Sequence, residues 1–208
     1  MNVAGQFKDS VAALGRRRNL IFFFALAQAV FFVFGQWTVS QEIPLVMEMR
    51  ERALGDAQNL AYLKPLTGFL AGSIALQVLY TFAFNLIFGA FLSTTLTGVV
   101  FFLPYMVAVW RGFLIGILTY GFIKSPGMYA AFYGTFILEF AGYSLSSAVG
   151  TDIGLALLWP ARKRRPTRKE AVAEAIRDGS NIYFAVIALL FLAAIWEIAS
   201  FHIVGPLF

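Results

Sequence analysis

Residues 68–123 read GFLAGSIALQVLYTFAFNLIFGAFLSTTLTGVVFFLPYMVAVWRGFLIGILTYGFI, and Arg111 is the one charged residue among them. A membrane-spanning helix needs about 20 mostly apolar residues at a rise of about 1.5 Å each. The stretch is therefore long enough for two crossings. Ser93-Thr94-Thr95 near its middle predicts a turn, with spans at about 68–93 and 98–123. Lys124-Ser125-Pro126-Gly127 is a second turn signal, and a further span follows at about 128–158.

On the amino-terminal side, Arg16-Arg17-Arg18 precede an apolar run over 19–39. The run is longer than the apolar core of a usual signal peptide, so it reads as a retained first span. The basic leader before it carries Phe7, Val11 and Leu14 at helical spacing, which suits the membrane surface. Residues 40–66 are polar and mixed in charge. Val46, Met49, Ala53, Ala57 and Leu60 form an amphipathic stripe there, predicting a short interfacial helix. On the carboxyl-terminal side, residues 160–180 are strongly basic. Thr167 and Glu170 have capping-box spacing and open a short polar helix. A last span is expected at about 181–204.

Composition agrees with this reading. The chain of 208 residues is 60% hydrophobic and only 13% charged, against roughly 25% in a soluble domain. No strand alternation points to a β-barrel. The expected fold class is all-α: a polytopic membrane helix bundle of about five transmembrane helices plus short amphipathic interfacial helices, in one domain over 1–208. The net charge of +5 reads as topology rather than nucleic-acid binding, because the basic residues flank the spans. With five spans, Lys8 and Arg16–Arg18 fall on the same side as Arg162, Lys163, Arg164, Arg165, Arg168, Lys169 and Arg177. That side is the cytoplasm by the positive-inside rule. The loop at 40–66 is then external, the amino terminus inside and the carboxyl terminus outside a cell (inner) membrane. The absence of cysteine and the single histidine, His202, leave no thiolate or histidine-rich metal site; neither metal nor cofactor is expected.

Function must then reside in polar groups at membrane depth, which cost at least about 2.5–3.5 kcal/mol unless paired or wet. Arg111 and Glu139 lie midway along consecutive antiparallel spans and are expected to pair, directly or through water. Such a pair either orients two helices or forms an ion or proton site. Asn85 is the third buried polar group. Glu197 and His202 read as a solvated end of the last span, and Asp152 as facing the basic 160–169 segment. Gly112 and Gly116 after Arg111, and Gly142, Gly150 and Gly154 after Glu139, mark seams where backbones approach closely. The two seams are expected to meet, bringing Arg111 to Glu139. No phosphate-binding loop, zinc-protease motif or serine–histidine set is present, so no enzyme activity is expected.

Over residues 74–205 the chain resembles the stage II sporulation protein M family. Asn85 stands at the family's span-two asparagine. Arg111-Gly112-Phe113-Leu114-Ile115-Gly116 stands at its Asn-Gly-x-x-x-Gly-like segment, with arginine in place of asparagine. Glu139 with Gly142, Gly150 and Gly154 matches its glutamate and downstream glycines. Tyr133-Gly134 lies near the place of a family His-Gly pair. The resemblance implies an integral membrane protein working with membrane or envelope partners; a homo-oligomer is a further expectation. In spore formers the family member helps localise a peptidoglycan-degrading complex, while some relatives are encoded beside transporter components. Two functions follow as expectations. One is a membrane scaffold, which predicts an unpaired lipid-facing apolar groove or a dimer interface, and a dry Arg111–Glu139 pair. The other is a small transporter or channel, which predicts a polar cavity reaching Glu139 and a broken helix near Gly112.

Overall fold

The computed structural model describes residues 3–57, 64–163 and 167–205. Leu60 of the amphipathic stripe, and Arg164 and Arg165 of the basic loop, lie outside the described residues. Among those described there is no strand. The chain folds as an all-α membrane helix bundle.

Helix α1 spans Val3–Ser40 and joins the basic leader to the first apolar run without a break. Helix α2, Pro44–Ala57, packs Val46 against Val39 and Ile117. The short α3 covers Lys64–Thr67. Helix α4, Ile74–Phe84, starts at Ser73, whose hydroxyl accepts from the Leu76 amide. It continues as a π-helix over Asn85–Leu96 and a 3-10 turn over Thr97–Val99. Helix α5 spans Leu103–Thr119, α6 spans Pro126–Leu158 and α7 spans Arg168–Val204.

Ser125 caps α6 by accepting from Met128 N, and Thr167 caps α7 by accepting from Glu170 N at 3.2 Å. The capping box therefore opens one continuous helix, not a short polar helix followed by a separate span. Nor does the chain turn at Ser93-Thr94-Thr95. The Ser93, Thr94 and Thr97 hydroxyls donate back to the carbonyls of Gly89, Ala90 and Ser93. Hydroxyl side chains are a recognised way to re-satisfy backbone loosened from α-helical geometry within a membrane.

Three helical stretches are long and apolar enough to cross a membrane: Gly5–Ser40, Ile74–Val99 and Arg168–Val204. Leu103–Thr119 is a shorter apolar helix. Helix α6 is long but less hydropathic because it is the centre of the bundle. Residues 142–152 are buried without interruption and include three serines, Thr151 and two glycines. Small and hydroxylated side chains are what helix–helix seams select when there is no hydrophobic gain over lipid. Phe22, Val33 and Ile137 are among the large apolar side chains exposed on the outside of the bundle, the surface a lipid solvent accepts.

The glycine seams do not meet each other. A Cβ at Gly112 would overlap the Gln28 carbonyl, and one at Gly116 the Phe32 carbonyl, so these residues seat α5 on α1. A Cβ at Gly150 would overlap the Thr94 carbonyl, and one at Gly154 the Gly98 carbonyl, so these seat α6 on the π and 3-10 turns. Gly142 instead receives the side chain of Leu190 from α7. Gly154→Val is expected to cost about 3 kcal/mol, because the obstructing atoms are backbone and cannot swing aside. Gly15→Ala, with nothing within 4 Å of the added carbon, is expected to gain about 0.5–1 kcal/mol. Unfolding midpoints in detergent check both.

Candidate functional site

Gln77, Thr81, Asn85, Gly89 and Ser93 follow one another at intervals of four along α4 and the π-helix. On a regular α-helix such a stripe drifts by about 40° per step. The wider π turn, which starts at Asn85, counters that drift. The result is one polar face running through an otherwise apolar stretch.

Each polar group on this face meets a different neighbour. Gln77 is 2% exposed; its Nε2 donates to the Leu66 carbonyl at 3.0 Å and its Oε1 lies 2.8 Å from His202 Nε2. One side chain thus ties α3, α4 and α7 together at one end of the bundle. Asn85 Nδ2 donates to Glu139 Oε1 at 2.6 Å. Further along, Arg111 Nη2 donates to the Gly89 carbonyl at 2.9 Å and to Ser93 Oγ at 3.3 Å. The Arg111 guanidinium also lies over the Tyr143 ring, 3.7 Å from its centre, a favourable placement for a desolvated cation. The other face of the site is closed by Gly89, where a Cβ would strike the Tyr143 ring and hydroxyl.

Between α4, α6 and α7 lies a cavity of about 180 Å³, lined in part by Leu66, Tyr80, Thr81, Asn85, Glu139 and Glu197. Roughly 10–15 Å³ of such volume holds one water, so there is room for several. The expected direct Arg111–Glu139 ion pair is absent: Glu139 takes its hydrogen bond from Asn85, while Arg111 is held by the π-helix and Tyr143. The reason is geometric. Position along two consecutive helices fixes their depth, but the rotation of each helix decides which neighbour a side chain faces.

Glu197 and His202 also differ from expectation. His202 is exposed, as a solvated helix end would be, but it also has a partner. Glu197 shares the cavity with Glu139, and His202 joins the Gln77 junction. Thr81 and Glu197 are the lining residues that sequence reasoning missed. The polar stripe at four-residue intervals through Gln77, Thr81 and Asn85 is the signal that would have found Thr81.

A second polar cluster sits at the opposite end, at the start of α7. Arg16 clasps Asp178 with Nε and Nη2 at 3.1 and 2.6 Å. Arg17 Nη2 lies 2.8 Å from Asp178 Oδ2, and Arg17 Nε lies 2.8 Å from Asp152 Oδ2. The contact with Asp152 is electrostatic, since that N–H does not point along the line to the oxygen. Asp152 thus meets α1 through Arg17. These contacts lock α1, α6 and α7 together. They also place the basic leader beside the first turns of α7.

No group of three metal-binding side chains occurs among the described residues. No curated protein and no solved structure matches the chain. The family model described as Stage II sporulation protein M matches residues 20–199, reaching back into α1 well before the residues that carry the resemblance. The chain belongs to the stage II sporulation protein M family.

Proposed function

We propose that this chain is a small membrane transporter or channel subunit that handles its solute at Glu139. One observation carries the reading: a carboxylate at membrane depth opens onto a polar cavity at the point where its neighbouring helix changes from α to π. Intramembrane carboxylates are expensive and mark ion or proton pathways. Helix irregularity of this kind recurs at functional sites and at transporter binding sites. The break falls at Asn85 on the second apolar stretch, not near Gly112. The dry Arg111–Glu139 pair that a scaffold role predicted is not formed.

In this reading the chain crosses the cell membrane five times, with its amino terminus inside and its carboxyl terminus outside. The ion pairs joining Arg16 and Arg17 to Asp178 support this orientation, because they hold the two basic segments at one end of the bundle. The Gln77 junction then faces outward and covers the cavity. Purified protein in liposomes loaded with a pH-sensitive or sodium-sensitive dye should exceed the leak of protein-free vesicles. Flux at background under proton and sodium gradients alike would overturn the transport reading.

A second reading is a non-enzymatic scaffold or partner-recruiting subunit of an envelope or transporter complex. A separate feature favours it: an apolar groove of about 750 Å³ between α1, α6 and α7, with Phe7, Leu14, Ala141, Ala188 and Leu192 among its lining. A helix from a partner, or from a second copy, fits such a groove. Ala188→Trp would fill it and is expected to abolish co-purification of a membrane partner or self-association, while leaving flux intact. If association persists unchanged, the groove is not the interface.

A further inference from the structure

Glu139 and Glu197 both line the cavity. In a water-poor setting two carboxylates facing one space repel unless one takes up a proton or a cation lies between them. Among the described residues no lysine or arginine forms an ion pair with either. The nearest fixed cation, Arg111, is turned toward the Gly89 carbonyl and the Tyr143 ring.

A third group points to what belongs there. Thr81 is 7% exposed and lines the same cavity, and its Oγ1 has no hydrogen-bond partner. A buried hydroxyl left unmatched destabilises the fold. Thr94, on the π-helix, by contrast donates to the carbonyl of Ala90, four residues before it. Thr81 therefore keeps an unused buried oxygen on the wall it shares with the two carboxylates.

We propose that Glu139, Glu197 and Thr81 form a binding site for a monovalent alkali cation of the sodium class. The donors are all oxygens, which select hard cations over zinc or copper. No thiol exists in the chain, and the one histidine is engaged with Gln77. Charge argues for a single positive charge on the ligand. Two carboxylates bring two negative charges, and the Arg111 guanidinium nearby offsets one of them. Asn85, bonded to Glu139 Oε1 at 2.6 Å, holds that carboxylate in position. The assignment names the solute of the transport reading and rests on it only for the site's purpose.

Binding can be read without flux. Purified protein in detergent is titrated with sodium chloride, with choline chloride holding ionic strength constant, and the unfolding midpoint is followed. A ligand that binds only the folded state raises it in proportion to the logarithm of its concentration. The wild-type midpoint should climb with sodium. Glu197→Gln and Thr81→Val should each weaken the apparent affinity at least tenfold while keeping the helical circular-dichroism signal. Thr81→Ser, which restores the oxygen, should recover it.

No difference between sodium and choline would overturn the site. So would stabilisation by magnesium or calcium alone, a midpoint that responds to pH but not to sodium, or wild-type affinity in Thr81→Val. Because no membrane gradient is involved, failure here leaves the liposome measurement to judge transport. Sodium binding with background flux would keep the site and discard the transport reading.

Discussion

Glu139→Gln is expected to bring flux in liposomes down to the protein-free level, a loss of at least tenfold, with the fold intact. The substitution keeps the shape of the side chain and can still accept from Asn85 Nδ2. It removes only the negative charge. The carboxylate is held by a hydrogen bond of 2.6 Å to a residue at the first turn of the π-helix. It opens onto a cavity large enough for a partly hydrated ion. A carboxylate kept in apolar surroundings for function, at a cost in stability, gains from neutralisation, since burying a charge costs several kcal/mol. The transport reading accordingly expects Glu139→Gln to unfold at an equal or higher temperature than the parent while losing flux. Flux equal to the parent would remove Glu139 from the pathway. Asn85→Ala is expected to show a milder flux defect, because the charge remains and only its position is freed.

The largest loss of stability is expected from Arg17→Ala, about 3–5 kcal/mol, the range for breaking a buried ion pair from one side. The Arg17 side chain is 13% exposed, and its Asp152 and Asp178 partners are 9% and 5% exposed. The guanidinium serves acidic groups on two helices at once, and Glu174 lies 4.0 Å away. Arg17→Lys supplies a point charge that cannot fork between two carboxylates, so it is expected to recover only part of the loss. Arg16→Ala is expected to cost much less, because the Arg16 side chain is 48% exposed and solvent screens its contribution. The unfolding midpoint in detergent, together with the rate of proteolysis at the start of α7, orders the three variants. A small effect of Arg17→Ala beside a large one of Arg16→Ala would contradict the packing described.

The membrane class was legible from hydropathy and charge alone. Asn85, Arg111 and Glu139 were conspicuous because polar groups in apolar runs are rare. Their partners were not legible. Depth along each helix can be counted from the chain, but helix rotation is set by packing, so Arg111 and Glu139 make no direct ion pair while the bond of Asn85 to Glu139 went unseen.

The same limit hid the fate of the glycines. Gly112 and Gly150 both mark close approach, yet one faces α1 and the other the π-helix. Ser93-Thr94-Thr95 resembled a turn because hydroxyls favour turns in water. In lipid the Ser93 and Thr94 hydroxyls bond back to the carbonyls behind them. Arg16 and Arg17 were read for topology alone, which concealed that both side chains turn back into acidic partners. Helix α6 shows the converse effect. The most enclosed helix holds no stretch as apolar as the three that are fit to span a membrane, because its neighbours are helices and not lipid.

The chain contains no cysteine, so a single introduced thiol reports on water at one chosen position. The central claim is that the Glu139 cavity is wet. Thr81→Cys sits on its wall, whereas Ile137→Cys, two residues before Glu139 and 63% exposed, faces lipid. Reaction with a small membrane-impermeant thiol reagent, applied from each side of oriented vesicles, compares them. The account predicts that Thr81→Cys reacts from the external side and that Ile137→Cys does not react. A Thr81→Cys thiol inert from both sides would mean a dry cavity, and the carboxylate site would then be structural.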